Sequence, residues 1–396
     1  MRLLLLNDYA TPTAGAELIT LHLRDAFRAA GHETRVLASS AQLIPDHDFA
    51  DASAYGSTAR LQPLSAMVNP SARHALRGEL ESFRPDAVQV NMFMWQLSPS
   101  ILPLLADVPT VHYAMDYKAI CPKGTKRLRD GDVCRHGVGL PCIRERCLSG
   151  REWPSQMVQH VLWLTGRRHF DRVIAVSDAV RDRLEPVGTR VDDVVWPGVL
   201  ATSAGALPDK RPTVTYAGRL VEEKGLDVLL RAFAKLPQRG LDAASLRIAG
   251  TGPAEAELKG LAHDLGLGDA VSWLGHVPQA ELPGALAGAW THAVPSTWAE
   301  PFGITGAEAM MRATPVVVSR TAGLAELVLD GESGFHVPPG DVEALAEALS
   351  RLLSDRELAV RMGAAARARV LDTSTINDCA SRLLAHHQQL TDAARA

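Results

Sequence analysis

Two glutamates with seven residues between them, Glu300 and Glu308, lie in the stretch TWAEPFGITGAEAMMRATPVV at 297–317. Ionised carboxylates only accept hydrogen bonds, and two of them fix the orientation of ribose or hexose hydroxyls. Between them, Gly303 can bring bare backbone N–H groups close to a ligand, and a helix starting there favours negative charge. Earlier in the chain, Arg219 and Lys224 stand five positions apart. A guanidinium forks onto two phosphate oxygens while an ammonium acts as a point charge, so the pair suits a diphosphate. Cations for a diphosphate and acids for hydroxyls together describe a sugar nucleotide. The plainer reading of each residue is a solvated surface charge. Lysine at a helix start opposes the helix dipole, however, which argues for a ligand there.

The elements that must hold these groups follow from period and punctuation. WTHAVPS reads as a short apolar strand ending at Pro295, the run around Glu308 has helix-forming composition, and Pro315 opens another apolar run. The acids therefore sit on a strand–loop–helix corner. PTVTYAGRL reads as a strand leading into a helix at about 226–236, and SLRIA, AVSWLG, THAVP and PVVVS continue the series. From Asp341 onward the pattern is helical throughout. The first half repeats the alternation. RLLLL (2–6) is a buried strand, a helix covers 16–30 up to Gly31, and RVLAS is the next strand. The segment 41–70 has no clear period and reads as loop. A helix at 71–83, strands at DAVQVN and PTVHYA, a helix at 154–170 and the strand RVIAV follow. The apolar residues of the 154–170 helix are expected to pack on the sheet, and Ser177-Asp178 caps the next helix. Strand–helix alternation implies doubly wound parallel sheets with ligands at the strands' carboxyl ends. ATSAGALPDK, small, polar and Pro-containing, reads as a linker between two domains.

Composition sets the outer bounds. A chain of 396 residues favours two domains, each able to bury a core, and 46% hydrophobic with 22% charged residues is ordinary for a soluble globular protein. A net charge of −4 gives no reason to expect nucleic acid as a partner. The leucine run at the start is broken by Asn7-Asp8, too short for a signal-peptide core, and no apolar run is long enough to cross a bilayer. The expectation is a cytoplasmic protein.

Between Asp116 and Trp153 the alternation breaks. Cys121, Cys134, Cys142 and Cys147 fall here, with only Cys379 elsewhere. Residues 118–151 carry nine Lys and Arg against Asp130, Asp132 and Glu145, a net of +6. Clustered cysteines in a reducing setting suit a structural tetrahedral zinc, whereas the irregular spacing without a C-x2-C knuckle leaves disulfides or free thiols equally open. The basic excess suits an anionic acceptor or an acidic membrane surface.

The corner at 300–308 resembles the E-x7-E motif of the family 4 glycosyltransferases, retaining enzymes of the two-domain GT-B fold. GRLVEEKG at 218–225 resembles that family's G-R-x4-K-G segment, IAGTGP at 248–253 its strand-end glycines, and Gly275-His276-Val277 and PVVVSRTAGLAELV also match. The resemblance is strong over 212–372 and thinner before it. It implies an α/β protein of two Rossmann-like doubly wound domains facing across a cleft. The first, 1–198, would bind the acceptor and carry the Cys-rich insertion at 116–153; a linker would span 199–211. The second, 212–372, would bind the donor, and 373–396 would cross back to the first.

The resemblance also implies roles. Arg219 and Lys224 would neutralise the leaving diphosphate, and Glu300 would hold hydroxyls of the transferred sugar. Glu308 would hold the ribose, Gly303 and Ile304 beside Phe302 would offer backbone N–H groups, and Val277 would meet the base. Gly15 (where the family usually has a second glycine at the position of Ala14), Gly218 and Gly252 would approach the donor. Asp116 and Tyr117 would lie on the acceptor side. The donor would be a UDP- or GDP-sugar, the acceptor a hydroxyl compound, anionic or lipid-linked, with peripheral membrane contact. No catalytic metal is implied, and zinc at the cysteines would be structural. Family members commonly carry His-Asp where this chain has Met115-Asp116; His112 lies three residues early, on the strand itself. Three other classes share parts of the pattern: a nicotinamide dehydrogenase, for which IAGTGP lacks the third glycine, a GT-B sugar epimerase, and an inactive nucleotide-binding partner.

Overall fold

A computed structural model describes residues 1–12, 15–41, 48–57, 66–128 and 133–396. The chain forms two compact units, Met1–Gly198 with Ile376–Ala396, and Val199–Thr375. The first holds a parallel sheet of β1 (Arg2–Leu6), β2 (Glu33–Ser39), β3 (Ala52–Ala54), β4 (Ala87–Val90), β5 (Thr110–Ala114), β6 (Arg172–Ala175) and β7 (Asp193–Val194). Its order is β3-β2-β1-β4-β5-β6-β7. The second holds β8 (Thr213–Ala217), β9 (Ser245–Ala249), β10 (Val271–Gly275), β11 (Thr291–Val294), β12 (Val316–Ser319) and β13 (Gly334–Val337), ordered β10-β9-β8-β11-β12-β13. Both sheets thus run outward from their first strand and then reverse, the doubly wound order in which ligands bind where the direction switches. Leu3–Leu6 and Val316–Val318 are buried on both faces, as continuous apolar runs in parallel sheets must be.

One expectation is corrected and another holds in part. The segment 41–70 is not all loop, because Ala52–Ala54 pairs in parallel with β2 at the sheet edge. Three small residues are too short to show a period, and 42–47 and 58–65 lie outside the described residues. Of the helix Trp153–Gly166, only Trp163, Gln159 and Gly166 are buried, while Val158, Val161 and Leu164 are exposed. The expected packing on the sheet holds for Trp163, whose ring lies 5.8 Å from that of His112 on β5, and fails for the outward face of Val158, Val161 and Leu164. Ser177 does cap its helix, accepting from Val180 N at 3.2 Å.

Residues 199–211 form no helix or strand but are bound to the second unit. Asp209 O accepts from Trp290 Nε1 at 2.8 Å, and Pro208 O accepts from Arg356 Nη2 at 2.8 Å. The C-terminal helix Ile376–Arg395 packs into the first unit instead. His386 Nε2 meets Asp193 at 3.0 Å, Arg395 meets Asp86 at 3.0 Å, and His387 Nε2 meets Gln89 Oε1 at 3.1 Å.

Burial pushes the His387 imidazole down to about 3, with the neighbouring His386 and His32 adding to it. Because the folded value lies below the unfolded one near 6.5, the unfolded chain takes up the proton first. Stability from this residue is therefore lost as pH falls below about 6.5. In acid unfolding, wild type should lose up to about 1.4 kcal/mol per pH unit relative to His387→Gln between about pH 6 and 4. Parallel curves would show that the imidazole is not held neutral.

Candidate active site

The direction switch of the second sheet lies between β8 and β11, and the two sequence motifs follow these two strands. Gly225 makes this possible on the first side. It closes the turn Glu222–Lys224 at φ +66, and a Cβ there would lie 2.1 Å from Pro295 O. No other residue lets the lysine turn press so closely on the end of β11. Thr297 N donates to Glu223 O at 2.9 Å and joins the two segments.

That approach brings Lys224 onto Glu300. The ammonium lies 2.9 Å from Oε1 and 2.8 Å from Oε2 of a buried carboxylate. Oε2 also accepts from Ser296 Oγ and Trp298 Nε1, both at 2.9 Å. Three donors crowd Oε2 whereas Oε1 has Lys224 alone, so Oε1 is the oxygen with capacity for a further hydroxyl. Lys224 has three N–H groups and spends two here, leaving one for an anion. The indole of Trp298 lies 5.4 Å from the ammonium and fixes it from the side. Arg219 is mostly exposed, its nearest acid being Glu223 at 4.0 Å, and it can swing onto a ligand.

Beyond Glu300 the loop is clamped by backbone. Gly323 N donates to Glu300 O at 3.0 Å, and a Cβ on Gly323 would lie 2.2 Å from Pro301 O. Phe302 is buried at 3% exposure, so its side chain is core and only its backbone can serve a ligand. Gly303, at φ +99, begins the helix Ile304–Met311 with no side-chain cap, which leaves the first N–H groups of that helix for an outside acceptor. Glu308 is on the fifth residue of this helix. Gln279 Nε2 donates to its Oε1; burial raises the carboxyl, and Arg312 with the Gln279 bond lowers it.

The remaining donor-side residues line strand ends. Gly218 N donates to Ala249 O at 3.0 Å, and Gly250 N donates to Gly275 O at 2.7 Å. A Cβ on Gly252 would meet three backbone atoms of Leu220 at 2.3 to 2.8 Å. Val277 is half-buried against Ala217, Ala249, Leu282 and Leu286. The second unit therefore collects Gly218, Arg219, Lys224, Gly252, Val277, Glu300, Phe302, Gly303, Ile304 and Glu308 on loops and a helix start at the carboxyl ends of its strands. Sequence reasoning missed Ser296, Trp298 and Gln279. Trp298 lies inside the quoted corner and Ser296 just before it, at the end of WTHAVPS, and both had a signal in their donor groups; Gln279 had none.

The first unit has its own switch between β1 and β4. Gly15 begins the helix Gly15–Ala29, and Ala14 lies outside the described residues. Asp8, unassigned from sequence, accepts from the backbone N–H of Trp95, Gln96 and Leu97 at 2.8, 2.7 and 2.9 Å and so joins the two loops. Burial raises its carboxyl to about 6 against those bonds. Asp116 accepts from Trp95 Nε1 at 3.3 Å and Lys118 N at 3.0 Å, and burial raises it too. Met115 is buried. His112 is packed inside, stacked on Phe170 at 4.8 Å with Nδ1 on Val90 O, and burial lowers it to about 4. Tyr117 is fully buried, with the Arg183 guanidinium 5.6 Å from its ring.

Cys121, Cys134, Cys142 and Cys147 are half-buried free thiols. Among the described residues no three His, Cys, Asp or Glu stand close enough to hold a metal. Arg129, Asp130 and Asp132 of the basic insertion lie outside the described residues. Among the described residues, no helix is long and apolar enough to cross a membrane.

Residues 202–369 match the family model described as glycosyl transferases group 1, and residues 13–199 match that of glycosyltransferase family 4. A GDP-mannose-dependent alpha-(1-6)-phosphatidylinositol monomannoside mannosyltransferase of Mycobacterium tuberculosis is 38% identical over 164 residues, 40% of this chain. That match spans 42% of the relative's own length. Glycogen synthase of the same species is 33% identical over 312 residues, covering 77% of this chain and 69% of the synthase. Among solved structures, sucrose-phosphate synthase from Thermosynechococcus elongatus superposes with a TM-score of 0.75 at 22% identity, over 99% of this chain and 100% of that one. With both halves matched in order, two doubly wound sheets and a long alignment to glycogen synthase, the chain belongs to the family 4 glycosyltransferases of the GT-B fold.

Proposed function

We propose that the chain transfers a sugar from a nucleotide-diphosphate sugar to a hydroxyl acceptor, with retention of the anomeric configuration and without a catalytic metal. The observation that carries this reading is the Lys224–Glu300 pair at the switch of the second sheet. Lys224 and Arg219 neutralise the diphosphate as its bond to the sugar's anomeric carbon breaks. Glu300 Oε1 holds a hydroxyl of the sugar, Glu308 the ribose, and the N–H groups at Gly303 and Ile304 a phosphate. The acceptor oxygen bonds to the anomeric carbon on the face the phosphate leaves, and its proton passes to a departing phosphate oxygen. Electrostatic stabilisation of that departure is the main catalytic contribution. Met115 fits this route, because a thioether takes no proton and the leaving group does so instead.

The GDP-mannose-dependent relative supports a GDP-sugar as donor, with a UDP-sugar as the alternative. Glycolipid or polysaccharide synthesis at the inner face of a membrane fits the basic insertion and the exposed Val158, Val161 and Leu164.

A thermal-shift panel of nucleotides and nucleotide sugars should identify the donor, since a ligand at 100 times its Kd adds about 2.7 kcal/mol. Glu308→Ala should abolish that shift for the free nucleotide, while Glu300→Ala should keep it and slow transfer. NMR of the product should show the donor's anomeric configuration, and Met115→His should leave the rate essentially unchanged. An inverted linkage rejects the mechanism. A large gain from Met115→His would make the native chain an impaired enzyme or a regulatory partner.

A further inference from the structure

The insertion between β5 and the helix Trp153–Gly166 has almost no core of its own. Among its described residues the regular structure is one short helix, Pro141–Arg144, and one isolated bridge, Arg127 to Val133. Of its larger apolar side chains Tyr117, Ile120 and Leu148 are buried near its two ends, whereas Val133, Leu140 and Ile143 point outward, at 53%, 59% and 38% exposure. A segment of this length cannot hold one conformation by burying so little apolar surface, and small modules in that position use disulfides or a metal.

What points inward is sulfur. Cys121, Cys134, Cys142 and Cys147 all line a single cavity, with His136 and Glu145 beside them. Backbone bonds set three of the four cysteines. Gly124 N donates to Cys121 O at 2.8 Å, Cys134 N to Lys126 O at 2.8 Å, and Leu148 N to Cys142 O at 2.9 Å, which folds Cys142 and Cys147 into one turn. His136 Nε2 and Glu145 Oε1 lie 3.6 Å apart and largely exposed, which leaves the four sulfurs as the inner set. The cavity measures about 20 Å³, room for one water-sized sphere and so for one ion.

Charge agrees. Four thiolates around a divalent cation carry a net −2, and a basic surround stabilises such a group. Lys126 is buried here with its ammonium on His136 O at 2.8 Å, and Lys123 and Arg127 also line the cavity.

We infer that Cys121, Cys134, Cys142 and Cys147 bind one zinc ion as a tetrathiolate, and that this ion is the missing core of the insertion. The sulfurs line the cavity without standing at ligating distance, so binding must draw them inward. The ion has no part in transfer. It fixes the segment that begins at Asp116, whose neighbour Lys118 reaches Gln156 at 2.9 Å and lies 4.2 Å from the Trp95 ring.

Whole chain purified without a polyhistidine tag should contain about one zinc by elemental analysis. Mercurial titration should release it as four thiols react, and cobalt in its place should show intense thiolate charge-transfer and tetrahedral d–d absorption. Chelation should lower Tm without halting transfer at once. Cys142→Ser should lower the metal content, whereas Cys379→Ser, at a buried position beside Tyr113 Oη, should keep it. Metal-free protein lighter by the four hydrogens of two disulfides would overturn the assignment. So would reduced, metal-free protein with unchanged Tm after zinc is added.

Discussion

Lys224→Ala is expected to lower turnover on the order of 10² to 10³-fold, the loss seen when one donor to a developing oxyanion is removed. The structure makes this position more consequential than a free surface lysine. Glu300 is a buried carboxylate whose only cationic partner within 4.0 Å, among the described residues, is Lys224. Removing the ammonium leaves Ser296 and Trp298 to hold the acid and takes away the positive charge that faces the departing phosphate. Turnover should fall more than donor affinity, because charge on the phosphate grows toward the transition state. Lys224→Arg should recover little, since a planar fork does not reproduce a point charge set between two carboxylate oxygens. Steady-state kinetics with the identified donor separate the two effects. Ordinary kcat with only a raised KM would place Lys224 outside the chemistry.

The second large effect belongs to a residue without a side chain. Gly250→Ala should destabilise the second unit by roughly 3 kcal/mol or more and sharply reduce donor binding. Gly250 has φ +142, and an added Cβ would lie 1.9 Å from the Gly218 carbonyl oxygen. The obstacle is backbone, so no change of rotamer relieves it. Either the ends of β8 and β9 separate, which displaces the loop carrying Arg219 and Lys224, or the unit unfolds more readily. Gly260→Ala is the matched control. It sits in the helix Glu255–Asp264 with nothing within 4 Å of the new methyl, and should stabilise by up to about 1 kcal/mol. Denaturant unfolding of the two variants should move in opposite directions. Unchanged stability in Gly250→Ala would mean that the two strand ends are not held in contact.

The parts of this molecule that can be read from the sequence are those in which local chemistry and tertiary need coincide. RLLLL could be placed because a strand buried on both faces has to be apolar throughout, and the acidic corner because proline and glycine mark its ends. Ala52–Ala54 could not, since three small residues owe their strand state to β2 alone. Gly334–Val337 was likewise hidden, a four-residue strand held by its ladder to β12. The same holds within the site. Arg219, Lys224, Glu300 and Glu308 are visible as charged types at a telling spacing. That Lys224 meets both oxygens of Glu300 depends on the chain returning to one place after 76 positions. Asp8 was visible only as an interruption of a leucine run. Its function of binding three successive backbone N–H groups depends on a loop about 87 positions away. That the same helix turns Trp163 onto the sheet but leaves Val158, Val161 and Leu164 outside was hidden for a related reason, because apolar residues show that a face exists without showing what covers it.

The discontinuous first unit bears on how the protein is made. Its sheet is laid down by residue 194, yet the helix Ile376–Arg395, which packs against the helix Gly15–Ala29 and covers Gln89 and Asp193, is synthesised only after the whole second unit. On the ribosome the second unit has everything it needs to fold while the first waits, its apolar edge around Phe27 open until His387 arrives. The order of completion is thus the reverse of the order of synthesis, and the half translated first is the one exposed longest to chaperones and proteases.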